Sequence, residues 1–175
     1  HARIQDLERL RHAAAHRPDI LIRDGYVSAD EKNALLASCD AYVSLHRAEG
    51  LGLTLAEAMA LGRPTIATGF SGNRQFMNDE NSFLVDYHVT TLPSDCGPYL
   101  SGSRWAEPDL NHAAKLMRAV WEHPEEAARR AERGKADILF RHGVTASAVL
   151  VAARLEAIRE ERAERAAARS EEHTS

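Results

Sequence analysis

A glycine-centred turn lies between a buried-strand pattern and a short helix pattern, and few folds accommodate this order of elements. Residues 41–45 (AYVSL) are β-branched and aromatic, which is typical of a buried strand. The turn formed by Gly50, Leu51 and Gly52 leads into a helix that should end near Leu61, with Gly62 as its cap. A second short strand pattern, TIAT, follows at residues 65–68. The sequence therefore predicts a strand–turn–helix–strand unit.

Such a turn is suited to holding an anion. The free N–H groups at the start of a helix that follows a parallel strand point toward the carboxyl edge of the sheet, where the helix dipole also favours negative charge. Glycine residues let a ligand approach the backbone closely. The turn thus has the chemistry needed to hold a diphosphate.

Two carboxylates, Glu49 and Glu57, lie eight positions apart across this turn. Each has an ordinary structural interpretation. Thr54 and Glu57 fit a capping box, in which Glu57 would only complete the first helical turn, and Glu49 could be a solvated loop acid. Taken alone, either acid is best interpreted in this structural way. Their combination with the two glycines favours a functional site.

This Glu-(seven residues)-Glu pattern resembles the signature of retaining GT-B glycosyltransferases, the bacterial group 1 type. The resemblance continues through SLHRAEGLGLTLAEAMALGRPTIAT and SGNRQFMNDENSFLVDY to WAEPDLNHAAKLMRAV, and covers about Ile20 to Leu139. It implies an α/β fold with a doubly wound parallel sheet, the Rossmann-like C-terminal half of such an enzyme. The implied reaction transfers a sugar from a nucleotide-diphosphate sugar to an acceptor hydroxyl with retention of configuration.

The resemblance also implies roles for individual residues. Glu57 would bind the ribose hydroxyls of the donor, and Glu49 would lie beside the donor sugar as the catalytic carboxylate. Backbone groups around the first glycine turn would receive the distal phosphate, a second glycine loop would lie beside them, and an earlier loop would cradle the base. These donor-binding residues are Gly50, Leu51, Gly52 and Leu53, then Ser71, Gly72 and Asn73, and finally Tyr26 and Val27. No metal and no cofactor is implied.

The same resemblance predicts that the chain is a fragment. Two central strands of the sheet, and an N-terminal domain that binds a sugar, lipid-linked or protein acceptor, would precede His1, so the fragment alone should be inactive. We expect residues 1–168 to form a partial nucleotide-sugar-binding domain with C-terminal helices. The ending RSEEHTS, residues 169–175, resembles a translated sequencing adapter and is expected to be non-native.

Two other functions remain open. The chain could belong to another sugar-nucleotide enzyme on this fold, such as a 2-epimerase-like protein, or be a non-catalytic nucleotide-binding module. A glycosidase is disfavoured, because eight helical positions span about 12 Å. Retaining glycosidases need their two carboxyl groups roughly 5–5.5 Å apart, and inverting ones roughly 6.5–9.5 Å.

Composition limits the classes of partner that this chain is expected to bind. The net charge of −4 argues against nucleic acid or an anionic membrane as the main partner. Cys39 and Cys96 are too few and too far apart for a disulfide framework, and Cys39 fits a core position. No apolar run approaches the ~20 residues of a membrane span, so a cytoplasmic protein without a membrane span is expected.

The rest of the chain predicts alternating helices and strands. Helix patterns occupy residues 1–16 and the segment after a Ser28–Glu31 capping box, while residues 19–23 and 82–87 read as strands. Strand starts near 19, 41, 65 and 82 favour a parallel sheet. Regularity should stop over residues 88–108, a long loop whose Tyr99 and Trp105 either anchor it or line a pocket.

Three helices are expected after Asp109, a predicted N-cap. In the first, Leu116, Met117, Val120 and Trp121 form one stripe that we interpret as core. The second follows Pro124, and the third should bury one apolar stripe. The members of that stripe are Val149, Ala152, Leu155 and Ile158.

Overall fold

The computed structural model describes residues 2–97 and 99–172, and the chain divides into two compact units that meet in sequence between Asn33 and Ala34. The first unit contains helix α1 (Ala2–Ala14), as predicted. Helix α2 (Ala29–Ser38) crosses the boundary in sequence. The Ser28–Glu31 capping box is confirmed: the Ser28 N–H donates to Glu31 Oε2 at 2.9 Å, and the Glu31 N–H donates to Ser28 Oγ at 3.1 Å.

The predicted strand at residues 19–23 is wrong. Within the described part of the first unit this segment has no strand, and Leu21 is 88% exposed. An extended segment becomes a strand only when a neighbour pairs with its N–H and C=O groups. The apolar pattern of residues 19–23 indicated a burial preference, but the described part of the first unit contains no strand that could pair with this segment.

The second unit is built on a parallel sheet of three short strands, β1 (Tyr42–Ser44), β2 (Thr65–Thr68) and β3 (Phe83–Val85), in that order. The expected strands at 41–45, 65–68 and 82–87 are thus confirmed, with shorter bounds in the first and last. Helix α3 (Leu53–Ala60) connects β1 to β2 as a parallel crossover. Among the described strands, β1 pairs with β2 alone.

Both faces of this sheet are covered. Successive residues of a strand point to opposite faces, and neighbouring residues of β2 belong to two different core clusters. Ala67 packs in one cluster with Leu55 of α3, and Ile66 packs in the other with Ala113 of a later helix. All four residues of β2 are buried. The predicted α/β sheet with helices on both sides is therefore confirmed.

Three helices complete the second unit: α4 (Leu110–Glu122), α5 (Pro124–His142) and α6 (Val144–Glu172). Asp109 caps α4 as predicted, since its carboxylate accepts from the Asn111 N–H at 2.8 Å and from the His112 N–H at 3.0 Å. Helix α6 extends into the segment predicted to be non-native, and residues 173–175 of that segment lie outside the described residues.

The predicted core stripes on two of these helices are wrong in part. Trp121 of α4 is 81% exposed, and Met117 is 50% exposed, while Leu116 and Val120 pack against the core. On α6, Val149 and Leu155 are exposed as well. Helical periodicity shows which residues share a face, but whether another element covers that face depends on tertiary packing.

The prediction of a long loop over residues 88–108 is also wrong at both ends. Strands β4 (Tyr87–Thr91) and β5 (Arg104–Pro108) form an antiparallel hairpin, with an irregular connection only between them. The glycine and proline residues that suggested a loop lie mostly in this connection, where Tyr99 packs edge-on against Trp105 with ring centroids 6.2 Å apart. Of the two roles proposed for these aromatics, this packing supports the anchoring one.

One helical stretch is long and apolar enough to cross a membrane by length and composition alone. A helical stretch over Pro124–Arg165 contains an 18-residue window of mean hydropathy 1.4, of which 6% is buried. In the structure this stretch is two helices that meet at Gly143, and core helices of globular proteins pass the same test. Helix α5 has a buried face, formed by Ala127, Ala131, Gly134 and Ile138, whereas the apolar window itself is almost entirely exposed.

Candidate functional site

The loop after β1 is tied to the loop after β2. The main-chain carbonyl of Glu49 accepts the N–H of Gly72 at 3.1 Å and the hydroxyl of Ser71 at 2.6 Å. His46 adds a third link, with its Nε2 3.0 Å from the carbonyl oxygen of Phe70. Since β1 and β2 are adjacent and parallel, both loops leave the same carboxyl edge of the sheet, where ligands bind in open α/β folds.

Glycine is required where the two loops touch. A methyl group added at Gly72 would overlap the carbonyl oxygen of Gly50 and would lie 2.9 Å from Cα of Leu51. By contrast, a methyl group added at Gly50 would meet no atom within 4 Å. We call residues 49–52 and 71–73 together the double glycine loop. Within this double loop no space is left between Gly72 and the backbone of Gly50 and Leu51, whereas the space beside Gly50 is open.

Ser71 holds a backbone conformation that glycine normally adopts. Its φ is 79° and its ψ is −147°, and it is the one non-glycine residue with positive φ within residues 2–97 and 99–172. Such a conformation costs of order 1–3 kcal/mol and persists only where surrounding contacts enforce it. The short hydrogen bond from its hydroxyl to Glu49 is one such contact.

The carboxylate of Glu49 lies at the start of α3. Its Oε1 accepts the N–H of Gly52 at 3.1 Å, and Gly52 is the N-cap of α3 with φ 90°. A residue without a β-carbon is needed at this positive φ. The start of the helix therefore directs an N–H at negative charge, as the glycine turn predicted, and in this structure the charge belongs to Glu49 itself.

Glu57 is a half-buried residue in the middle of α3, and its Oε2 is shielded from solvent. The capping-box interpretation is wrong, because the N-cap is Gly52, two residues before Thr54, and it carries no side-chain cap hydrogen bond. Thr54 instead accepts the hydroxyl of Tyr42 at 3.0 Å. Glu57 lines a cleft of about 420 Å³ beside the glycine turn. Its other walls include Leu51, Leu53, Phe76, Arg141 and His142.

The remaining predicted residues lie in different environments. Leu51 and Leu53 are exposed at the turn, whereas Asn73 is fully buried and its Nδ2 donates to the carbonyl of Thr68 at 3.0 Å. In the structure Asn73 therefore supports the loop from inside. Tyr26 and Val27 belong to the first unit, where both are exposed, and their contact with a base stays a prediction.

Sequence reasoning missed an ion pair next to the site. Arg47 donates from Nε and Nη2 to the two carboxylate oxygens of Glu107, both at 2.7 Å, although the two residues are sixty positions apart. This hydrogen bonding holds the pKa of Glu107 below its ordinary value and raises that of Arg47. Only the hairpin, which the sequence did not predict, brings the two side chains together.

Cys39 and Cys96 are both free thiols in the structure. Within the described residues, no group of three or more His, Cys, Asp or Glu side chains is placed to hold a metal ion.

Comparisons with solved structures identify the fold. HepE from Anabaena, in a complex with UDP and glucose, superposes with a TM-score of 0.66 at 18% identity, covering 88% of this chain and 36% of HepE. Sucrose-phosphate synthase from Thermosynechococcus elongatus gives a TM-score of 0.64 at 18% identity, covering 90% of this chain and 35% of the synthase.

A shorter neighbour shows which part of such an enzyme this chain resembles. The C-terminal domain of LpcC, a glycosyl transferase group 1 family protein from Francisella tularensis, gives a TM-score of 0.58 at 20% identity. The match covers 80% of this chain and 62% of that domain. These structures share the Rossmann-like fold of GT-B glycosyltransferases, and the chain spans about a third of HepE and of the synthase.

Sequence comparison identifies the family. A search of curated protein sequences gives no match. The sequence model of the family "Glycosyl transferases group 1" matches residues 3–92, which is half of the chain, and includes β1, the glycine turn and α3. This chain belongs to the glycosyl transferases group 1 family.

Proposed function

We propose that this chain holds a nucleotide-diphosphate sugar, and that the protein transfers the sugar to an acceptor hydroxyl with retention of configuration. The observation that carries the proposal is the double glycine loop at the carboxyl edge of the sheet. It combines an N–H directed at negative charge, open space beside Gly50 and the carboxylate of Glu49 within one turn.

In this proposal the distal phosphate of the donor binds the backbone N–H groups of Leu51, Gly52 and Leu53. Negative charge builds up on the diphosphate as it leaves, and fixed N–H dipoles stabilise that charge without reorganisation. Glu49, whose carboxylate accepts the Gly52 N–H in this structure, would release it to the phosphate and lie beside the donor sugar near the reacting carbon. The backbone dipoles serve in place of a metal ion.

Glu57 binds the ribose hydroxyls at the other end of the donor. Its position supports this role, because it lines the cleft beside the glycine turn and does not cap the helix. The complex of HepE with UDP-glucose supports a nucleotide-sugar as the ligand class. The acceptor is a sugar, a lipid-linked molecule or a protein, and it binds outside the part of the chain that matches the donor-binding fold.

Calorimetric titration of the protein with UDP, GDP and ADP, and with one sugar derivative of each, tests donor binding. Glu57→Ala should weaken binding of the preferred nucleoside diphosphate by about 10- to 100-fold, since a hydrogen bond to a charged group contributes about 1.5–3 kcal/mol. Glu132→Ala, at an exposed glutamate of α5, is the matched control and should bind normally. Unchanged affinity in Glu57→Ala would contradict the assignment of Glu57 to the ribose.

The stereochemical outcome is tested separately. The proton NMR coupling at the anomeric carbon of the glycoside product should report the same configuration as in the donor. Glu49→Ala should lower turnover much more than donor affinity, because its proposed contact is with the reacting sugar. An inverted product would refute retention but leave donor binding intact.

A further inference from the structure

We propose that Arg47 and Glu107 are positioning residues that fix the carboxylate of Glu49 through the β4–β5 hairpin. The inference rests on the function proposed above, because Glu49 acts there on the donor sugar. Its structural basis is independent of that function. The segment that carries Glu49 is bonded on one side to the loop after β2 and on the other side to the hairpin.

The hairpin binds Arg47 through three consecutive residues of β5. The N–H of Ala106 donates to the carbonyl of Arg47 at 2.9 Å. Trp105 and Glu107 share one face of the strand, because residues two apart in a strand point the same way. Glu107 binds the guanidinium through two hydrogen bonds of 2.7 Å, and the Trp105 ring centroid lies 5.4 Å from Cζ of the same group.

This attachment differs from an ordinary surface ion pair. Exposed pairs contribute little because two long side chains must be held in one geometry. Here one partner is planar and bidentate, the ring of Trp105 lies beside it, and a main-chain hydrogen bond aligns the two segments. The side chains of Arg47 and Glu107 are 48% and 34% exposed, so they also retain access to solvent.

The attachment of Arg47 to the hairpin acts on Glu49 because only Ala48 lies between Arg47 and Glu49. Two residues of chain span at most about 7 Å, so a shift of Arg47 is transmitted almost directly to Glu49. The carbonyl of Glu49 is held by Ser71 and Gly72. The direction in which the main chain enters the turn therefore depends on the position of Arg47. A misplacement of about 1 Å at a reacting centre costs up to 100-fold in rate.

The test compares Arg47→Ala, Glu107→Ala and the charge exchange Arg47→Glu/Glu107→Arg. The matched control is Arg129→Ala, which removes another bidentate pair, with Glu126 at 2.7 and 2.8 Å, from the surface of α5. Melting temperatures report the structural cost of each change. Arg129→Ala should lower the melting temperature only slightly, and Arg47→Ala should lower it somewhat more, because it also removes the contact with the Trp105 ring.

The first readout needs no ligand. The Gly52 amide signal in a ¹⁵N–¹H spectrum should move when Glu49 is replaced by alanine, because the Glu49 carboxylate accepts the hydrogen bond of this amide. In Arg47→Ala and Glu107→Ala this movement should fall to less than about half, and the charge exchange should restore part of it. Arg129→Ala should leave it unchanged. If the Gly52 signal moved equally far in the Arg47→Ala background, the proposal would be overturned.

The second readout compares affinity for the nucleotide-sugar with affinity for the nucleoside diphosphate alone. Arg47→Ala should weaken binding of the preferred nucleotide-sugar about tenfold, and affinity for the nucleoside diphosphate alone should stay within about twofold. Equal losses for both ligands would mean that the pair only supports the fold, which contradicts the proposal. If the unaltered protein bound neither ligand, the proposed function would fail, and the Gly52 spectrum would still decide the positioning role.

Discussion

Replacing Gly72 by alanine tests how the double glycine loop is closed. The added methyl group would overlap the carbonyl oxygen of Gly50 and lie 2.9 Å from Cα of Leu51, where ordinary contact begins at 3.4 Å. Both clashing groups are backbone, so no side chain can rotate away. The two loops must move apart, and the hydrogen bonds from Ser71 and Gly72 to the Glu49 carbonyl must lengthen.

The size of the effect follows from those two hydrogen bonds. Each contributes about 0.5–1.5 kcal/mol, so their loss should lower the free energy of unfolding by about 1–3 kcal/mol. For a chain of this size, 1 kcal/mol corresponds to about 2–4 °C in melting temperature. Gly72→Ala should therefore melt about 2–12 °C lower, and it should bind nucleoside diphosphate weakly because the loop no longer presents its N–H groups together.

Gly50→Ala is the matched variant. Its methyl group meets no atom of the protein within 4 Å, so the melting temperature should stay within about 2 °C of the original. Nucleotide-sugar affinity should nevertheless fall, because the methyl group fills space that the proposed ligand occupies. Differential scanning fluorimetry and calorimetric titration measure the two quantities. Normal melting of Gly72→Ala would refute the closed contact, and normal binding by Gly50→Ala would refute close approach of the ligand.

Three further predictions concern the same edge of the sheet. Ser71→Gly should be more stable than Ser71→Ala by about 1–3 kcal/mol in chemical denaturation, since both lose the hydroxyl but only glycine relieves the positive φ. The pKa of Glu107, measured by carbon NMR, should lie below the ordinary value of a glutamate and return toward it in Arg47→Ala, because hydrogen bonds from Arg47 lower it in the folded state. The stabilisation from this pair should therefore be complete above the ordinary glutamate pKa and be lost as the pH falls through the lowered folded-state pKa. Addition of EDTA should leave nucleotide-sugar binding unchanged, and a loss restored by Mg²⁺ would contradict transfer without a metal.

Much of the sheet and the glycine turn could be predicted from the sequence because their signals are local. Residues 41–45 and 65–68 carry the composition of buried strands, and Gly62 ends α3 with φ +68° as expected. The N–H of Gly62 donates to the carbonyl of Met59 at 2.9 Å, which is a helix-end bond that a residue in the left-handed region allows. Such features depend on a few adjacent residues, which a sequence displays directly.

The errors have a common physical origin in contacts between distant residues. Trp121 shares a helical face with core residues, but no described element covers it. The hairpin pairs Thr91 with Arg104 across a connection full of turn residues, and sequence patterns do not reveal which strands pair. The Arg47–Glu107 pair depends on that hairpin, so it could not be predicted before the hairpin was known.

The carboxylate bonded to the Gly52 N–H has a consequence for ligand selection. A carboxylate only three residues away has an effective concentration of at least the millimolar order at this N–H. Free phosphate or chloride must compete with this tethered carboxylate and would form few other contacts at the turn. Under the proposed function, a sugar nucleotide would displace it while forming further contacts along the cleft, and its hydroxyls would bind the released carboxylate. The internal anion would thus act as a filter against small ions. Millimolar phosphate that readily shifts the Gly52 amide signal would refute this selectivity.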